Sequence, residues 1–384
     1  MNLRRIWAVA SKEWRETIRD RMFFSLAFLI PILWMIVFGY GMVLDVEHIP
    51  LAILDYDHSA LSRDYAYRFI GSRYFDFKGY VKDEEALDRL LTDNTIRAAL
   101  IIPDRFHERL TAGRPANVQT LIDGVFPLRT QITKGYVIAI NAAFSQELVA
   151  DYLARLRGIP TDQARRLVQP VKLEVRYLYN QEVRSVWAIA PALVMFTLML
   201  SAPLLTALQV VKEKERGSIY NIYSSTVSRV EFLLGKLLPY VAISAVNLII
   251  LWIIAIQLFR APFKGDPLFF AVSSLLFILC TTGMGLILSL LVSTQLAALV
   301  ITIVLSIVPT ILYSGILMPV SSLTHGAKIV AYLHPAMHYT RIVQGSFLKG
   351  VGLEVLWEEA LVLALYASGL LAAGYLLFHK RTRT

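Results

Sequence analysis

The sequence predicts an α-helical membrane protein with six transmembrane helices, an N-terminal interfacial helix, and an inserted extracytoplasmic α/β domain between the first and second spans. Three observations predict it. Of the 384 residues, 56% are hydrophobic and only 17% charged, and the mean hydropathy is +0.55, too apolar for a soluble chain of this length. Six stretches supply the roughly 20 apolar residues that a hydrocarbon core of about 30 Å demands. The formal net charge of +9 is spread very unevenly along the chain.

Residues 1–21 come first. Leu3, Ile6, Trp7, Ala10, Trp14 and Ile18 recur at helical spacing, with Arg4, Arg5, Lys12, Glu13, Arg15, Glu16 and Arg19 elsewhere on the wheel, the pattern of a helix lying in a membrane interface. Residues 22–44 are the first span, with Phe23 to Leu44 as its apolar run. A cleaved signal peptide would be shorter and followed by a small-residue site, and FGYGMVLD offers none, so the span is retained.

Residues 45–184 form the inserted domain. PLAIL, YFDFKGYV, RAALIIP, NVQTLI and KLEVRYLY read as strands, and the segments from Ser59, Asp83, Asp104 and Arg129 read as helices. At about 130 residues it is large enough for its own core, and with Cys280 the sole cysteine it folds without disulfides. Residues 185–384 hold the other spans: Val186 to Val211, Leu237 to Phe259, Leu268 to Val292, Leu296 to Met318, and a last one centred on Ala360 to Phe378. The first five of the six spans contain no Asp, Glu, Lys or Arg. A loop at 212–236 and a re-entrant segment at 319–353 connect them.

Charge placement sets the sidedness. Residues 1–21, 212–236 and 379–384 carry net +3, +2 and +3, whereas residues 45–184 hold 19 basic and 19 acidic groups. By the positive-inside tendency, both termini and the 212–236 loop face the cytoplasm and the α/β domain lies outside. This placement accounts for the basic pI without nucleic acid.

No phosphate-cradling GxxxxGK[ST] occurs, and no GxGxxG opens a helix after a strand, so the chain has no ATP site by those motifs. Gly283-Met284-Gly285 lies within a span and suits close helix packing. The lack of charged residues in the first five spans weighs against a proton-coupled carrier. Asp55-Tyr56-Asp57-His58 resembles an acid/base or metal cluster, but a strand end followed by Ser59 is explained by turn and cap chemistry. His107-Glu108 and Arg105, Arg109 and Arg114, interleaved with acids, read as a salt-bridged surface. His334 and His338 have an i, i+4 spacing that suits a metal, without an acidic third ligand nearby; an interfacial helical segment is the preferred reading. No catalytic set and no metal or cofactor site is assigned.

The loop reads VVKEKERGSIYNIYSSTVSRVEFLLGKLLPY. A charged helical end, Lys212 to Arg216, stops at Gly217, as helix C-termini do. Glu215-Arg216-Gly217-Ser218, Ser228-Arg229 and Leu233-Leu234-Gly235-Lys236 resemble the cytoplasmic coupling loop of type-two ABC transporter permeases. The likeness extends to KEWRETIRDR, LAILDYDHSALSR, IIPDRFHERLTAGRPANVQ and PVSSLTHGAKIVAYLHPAMHYTRIVQG, and together these resemble the multidrug-type exporter branch with a large periplasmic domain.

The resemblance implies a non-catalytic permease subunit in the bacterial inner membrane, pairing with a second permease copy or a related permease. ATP and Mg would be bound by separate ABC ATP-binding subunits, with membrane lipid and a periplasmic adaptor protein as further partners. Carried over by position, Glu213, Lys214, Glu215, Arg216, Gly217, Ser218, Ile222 and Arg229 belong to the coupling element, and Trp7, Lys12, Glu13, Trp14 and Arg15 to the interfacial helix. Tyr220 stands where an acidic residue is usual and Thr226 where proline is common. A pathway between the paired halves would be lined by the second and fifth spans at Pro191, Met195, Met199, Pro309 and Tyr313. The cargo would be amphipathic or hydrophobic small molecules. The alternative is a membrane receptor whose α/β domain binds a ligand, which would need an inward output domain larger than the short loops seen here.

Overall fold

A computed structural model describes residues 2–42, 46–169, 175–217 and 227–377, and the chain divides into two compact units, Asp45–Arg176 and the remainder. The remainder begins with α1 (Leu3–Arg19), opened by Asn2, whose side chain accepts the Arg4 N–H at 3.1 Å. Asp20 ends α1 and begins the next helix. Its backbone leaves the helical region (φ −84°, ψ 113°) while its carboxylate accepts the Met22 N–H at 3.0 Å, so the chain turns there into α2 (Arg21–Gly41), the first span.

The α/β unit contains β1 (Ile49–Asp55), α3 (Ala60–Ile70), β2 (Phe75–Tyr80), α4 (Glu84–Thr92), β3 (Ala98–Ile102), α5 (Phe106–Thr111), β4 (Gln119–Ile122), α6 (Pro127–Arg157) and α7 (Thr161–Val168). The sheet order is β2-β1-β3-β4. β1 runs parallel to both neighbours and β4 antiparallel to β3, so α3 and α4 are the two crossovers that parallel pairing requires. Alternate residues of the central strands serve opposite faces. Leu51, Ile53, Leu100 and Ile102 pack with Tyr65, Phe69, Phe106 and Phe144; Ala52, Leu54, Ala99 and Ile101 pack with Leu87 and Ile96.

Two of these helices start at the capping residues the sequence marks, whereas α5 starts at Phe106 and α6 at Pro127, not at Asp104 and Arg129. Ser59 accepts the Ser62 N–H at 3.0 Å and Asp83 the Ala86 N–H at 2.7 Å. Asp55 is the cap and turn residue anticipated for its cluster, accepting the N–H groups of Asp57 and His58 and the Ser62 hydroxyl. The strand expected at KLEVRYLY is not formed at Val175–Tyr179, while its residues 172–174 lie outside those described.

The helical unit continues with α8 (Ser185–Glu215), α9 (Arg229–Leu258), α10 (Pro267–Leu291) and α11 (Gln295–Tyr313). Two short helices follow, α12 (His325–Tyr332) and α13 (Pro335–Gln344), and then α14 (Leu353–Leu377). With α2, these include six helices long and apolar enough to cross a membrane, as the hydropathy pattern anticipates. α8 is the hub: most of its apolar stretch is buried, while α11 and α14 leave most of theirs open. The close approach of α10 to α8 depends on Gly285, where an added Cβ would lie 2.3 Å from the Pro203 carbonyl oxygen. Tyr339 of α13 is locked into the same core, stacked on Phe277 and donating to the Ser274 hydroxyl at 2.7 Å. Cys280 is buried, its thiol directed to the Leu363 carbonyl at 3.2 Å.

Candidate functional site: a polar clasp on the first helix

Four consecutive charged residues end α8, and successive helical residues point about 100° apart, so Lys212, Glu213, Lys214 and Glu215 each reach a different element. Lys212 Nζ donates to Asp20 Oδ2 at 2.7 Å and lies over the Phe23 ring, fastening the junction of α1 and α2. Glu213 Oε1 takes Lys12 Nζ of α1 at 2.7 Å, and its Oε2 lies 2.6 Å from Lys236 Nζ of α9. Lys214 Nζ reaches the Ser289 carbonyl and, at 3.3 Å, the Val292 carbonyl at the end of α10. Glu215 accepts the backbone N–H of Gln295 at 2.6 Å and its side-chain amide at the start of α11. The last two contacts match helix polarity, a cation at a C-terminus and an anion at an N-terminus.

The centre of the clasp is Lys236, whose side chain is 0% exposed between Glu213 and Glu13. Glu13 Oε1 accepts Lys236 Nζ at 2.8 Å, and Oε2 accepts the Tyr240 hydroxyl. Two carboxylates and the ammonium groups of Lys12 and Lys236 balance in charge, which buried ions require. Burial, only partly offset by Lys236, holds the Glu13 carboxyl above its ordinary range, and Glu213 beside it adds to the shift. Lys12 also sits above its usual value: burial alone would lower it, but its bond to Glu213 prevails. The Lys212 hydrogen bond holds Asp20 low.

Further contacts extend the clasp along all of α1. Gln209 donates to the Thr17 hydroxyl at 3.3 Å. Glu231 closes a capping box with Ser228 at the start of α9 and also accepts the Asn2 N–H at 2.6 Å. Gly235 lets the helices touch, since a Cβ there would sit 2.7 Å from Val9 Cβ.

The structure thus divides the residues anticipated for coupling. Glu213, Lys214 and Glu215 are bonded within the chain, whereas Arg216 and Arg229 point to solvent and Gly217 is half-buried with φ +70°. Ser218 and Ile222 lie outside the described residues. On α1, Glu13 faces inward and Lys12 is half-buried, while Trp7, Trp14 and Arg15 are exposed. Tyr240, Gln209, Thr17, Asp20, Glu231 and Gln295 were given no role by sequence reasoning. Lys236 borders an apolar run and enters the sequence reading only through the loop charge and the Leu233-Leu234-Gly235-Lys236 likeness; its pairing with Glu13 spans 223 positions.

The anticipated lining residues do not share one open surface. Pro191, Met195 and Met199 are buried, the two methionines in the core with Phe277 and Tyr339, while Pro309 and Tyr313 are half-buried on α11. His334 and His338 are buried, His338 Nε2 lying 3.0 Å from the Tyr332 carbonyl.

Six membrane-length helices, with an amphipathic helix bonded across the ends of two of them, define a multi-pass membrane protein. The chain belongs to the ABC-2 family transporter proteins, whose profile matches residues 21–376. It is 28% identical over 351 residues to the probable multidrug ABC transporter permease YbhS of Escherichia coli (strain K12), covering 91% of this chain and 90% of that one. It is 25% identical over 379 residues to YbhR of the same organism, also named a probable multidrug ABC transporter permease, covering 98% and 99%. It is 22% identical over 390 residues to its inner membrane transport permease YhhJ, covering 100% and 99%. Family membership implies ATP-binding subunits as partners and pairing of permeases.

Proposed function

We propose that this chain is the non-catalytic permease subunit of an ATP-driven exporter in the bacterial inner membrane, moving amphipathic or hydrophobic small molecules outward. Its termini and the 212–236 loop face the cytoplasm, and the α/β unit faces the periplasm, where it docks an adaptor. Two permease copies, or this chain and a related one, form the pathway between them. ATP and Mg are bound by the partner subunit, which seats on the loop beyond Arg216.

The observation that carries the reading is the clasp. A loop hinged on free helix ends would absorb a push, but here the last turn of α8 and the first turns of α9 are ion-paired to each other and to α1. Displacement of the loop therefore moves α1, α8 and α9 as one body. Work is extracted when the partner's ATP-bound and ATP-free forms grip that body differently. The names of the relatives YbhS and YbhR support drug-like cargo.

Purification from native membranes in mild detergent tests the reading. An ABC ATP-binding subunit in stoichiometric amount is expected; its reproducible absence would overturn it.

A further inference from the structure

The α/β unit carries a projecting tip at which the chain leaves β4 for α6, Asp123-Gly124-Val125-Phe126-Pro127-Leu128-Arg129. Val125, Phe126 and Leu128 are 73%, 54% and 58% exposed. The tip is nevertheless braced. Asp123 accepts the Val125 N–H at 2.9 Å through Oδ1 and pairs with Arg97 through Oδ2, and its carbonyl accepts the Thr130 hydroxyl at 2.8 Å. Three apolar side chains are therefore held in water by a fixed backbone, an arrangement that marks an interaction site. Basic groups border them: the Arg97 guanidinium lies 5.8 Å from the Phe126 ring centroid, and Arg129 is exposed. A cavity of about 100 Å³ opens beside the tip, lined among others by His48, Arg97, Phe126, Arg129 and Thr130.

We propose that this tip is a lipid anchor: Val125, Phe126 and Leu128 enter the headgroup and acyl boundary of the bilayer, and Arg97 and Arg129 contact lipid phosphates. Four considerations favour lipid. Apolar groups ringed by arginine are complementary to a phospholipid surface, where acyl chains lie beneath anionic phosphates. Three side chains fall far short of the roughly 800 Å² per partner of a stable protein interface. A small patch suffices for lipid because the unit is joined in sequence to membrane spans before and after it, which raises its effective concentration at the bilayer. The tip also lies at the sheet end where the chain comes in from the first span, since Ile122 pairs with Ala98 and Ala98 with Leu51. Seven residues lie between Gly41 and Ile49, a connection of at most about 28 Å of chain. The anchor needs only that the flanking helices span a bilayer, so it stands or falls separately from the transport reading.

Site-directed spin labelling of the full chain in lipid nanodiscs tests this. In a Cys280→Ala background, a nitroxide at Phe126→Cys, or at Val125→Cys should the first variant express poorly, is compared with one at Tyr67→Cys, which is exposed elsewhere on the unit. Accessibility to oxygen, which partitions into lipid, is set against accessibility to a water-soluble nickel chelate. The tip label is expected to have an oxygen-to-nickel ratio several-fold above that at position 67, and Arg129→Glu is expected to lower it. A tip label as open to nickel as position 67 overturns the proposal. So does one shielded from both reagents, which would mean a protein partner. A ratio unmoved by Arg129→Glu removes the phosphate contact.

Discussion

Lys236 is the residue on which the clasp turns, because it neutralises two buried carboxylates at once. Lys236→Met leaves Glu13 and Glu213 facing each other without it and is expected to cost about 3–5 kcal/mol, the range for breaking a buried pair, read as lowered thermal stability in detergent. Adding Glu13→Gln to that variant should restore part of the loss; strictly additive effects would mean that the two do not interact. Glu13 also predicts a pH dependence. Its carboxyl is raised on folding by burial, so the native state binds that proton more tightly than the unfolded chain does. Its contribution is present below the ordinary value of about 4.5 and is lost as pH rises through the raised value. Glu13→Gln should therefore gain on the parent protein as pH rises through that window. A constant difference across the series would contradict it.

At the scale of elements, the packing of α1 on α9 rests on Gly235. Gly235→Ala places a Cβ 2.7 Å from Val9 Cβ and 2.9 Å from the Ile6 carbonyl oxygen. The expected overpacking cost is about 1–3 kcal/mol, with earlier release of α1 in limited proteolysis; unchanged cleavage would mean that α1 is held elsewhere. The elements themselves were largely legible in the sequence. Long apolar runs mark the spans, and Ser59 and Asp83 mark helix starts because capping is a local interaction. The clasp was not legible, since it joins α1 to residues some 200 positions away. On a wheel Glu13 looks like any polar-face residue, and nothing local separates it from exposed Glu16. Lys212 to Glu215 look like a solvated helix end for the same reason. The burial of Glu13, Lys212 and Glu213, and the bonds that Lys214 and Glu215 make, follow from the assembly of five helices around that turn.

For the whole molecule, the family and the six spans follow from patterns that extend over most of the chain, while sidedness and cargo rest on the proposal. With Glu213 to Glu215 bonded within the chain, Arg216 and Arg229 are, among the described residues, the coupling candidates whose side chains are open to a partner. Arg216→Ala combined with Arg229→Ala, reconstituted with the co-purifying ATP-binding subunit, is expected to lower export per ATP hydrolysed about tenfold, equivalent to ~1.4 kcal/mol of coupling. ATP hydrolysis should continue. Unaltered export per ATP would exclude both arginines from the transmission.

The fan of four charges at the end of α8 also limits how this loop can vary. One codon inserted between Val211 and Lys212 would rotate every later side chain by about 100° and separate all four from their mates at a stroke. Changes of length are tolerable only after Gly217, where the helix has ended. Duplicated genes adapting to new motors would therefore diversify the segment past that glycine and keep the preceding turn in frame.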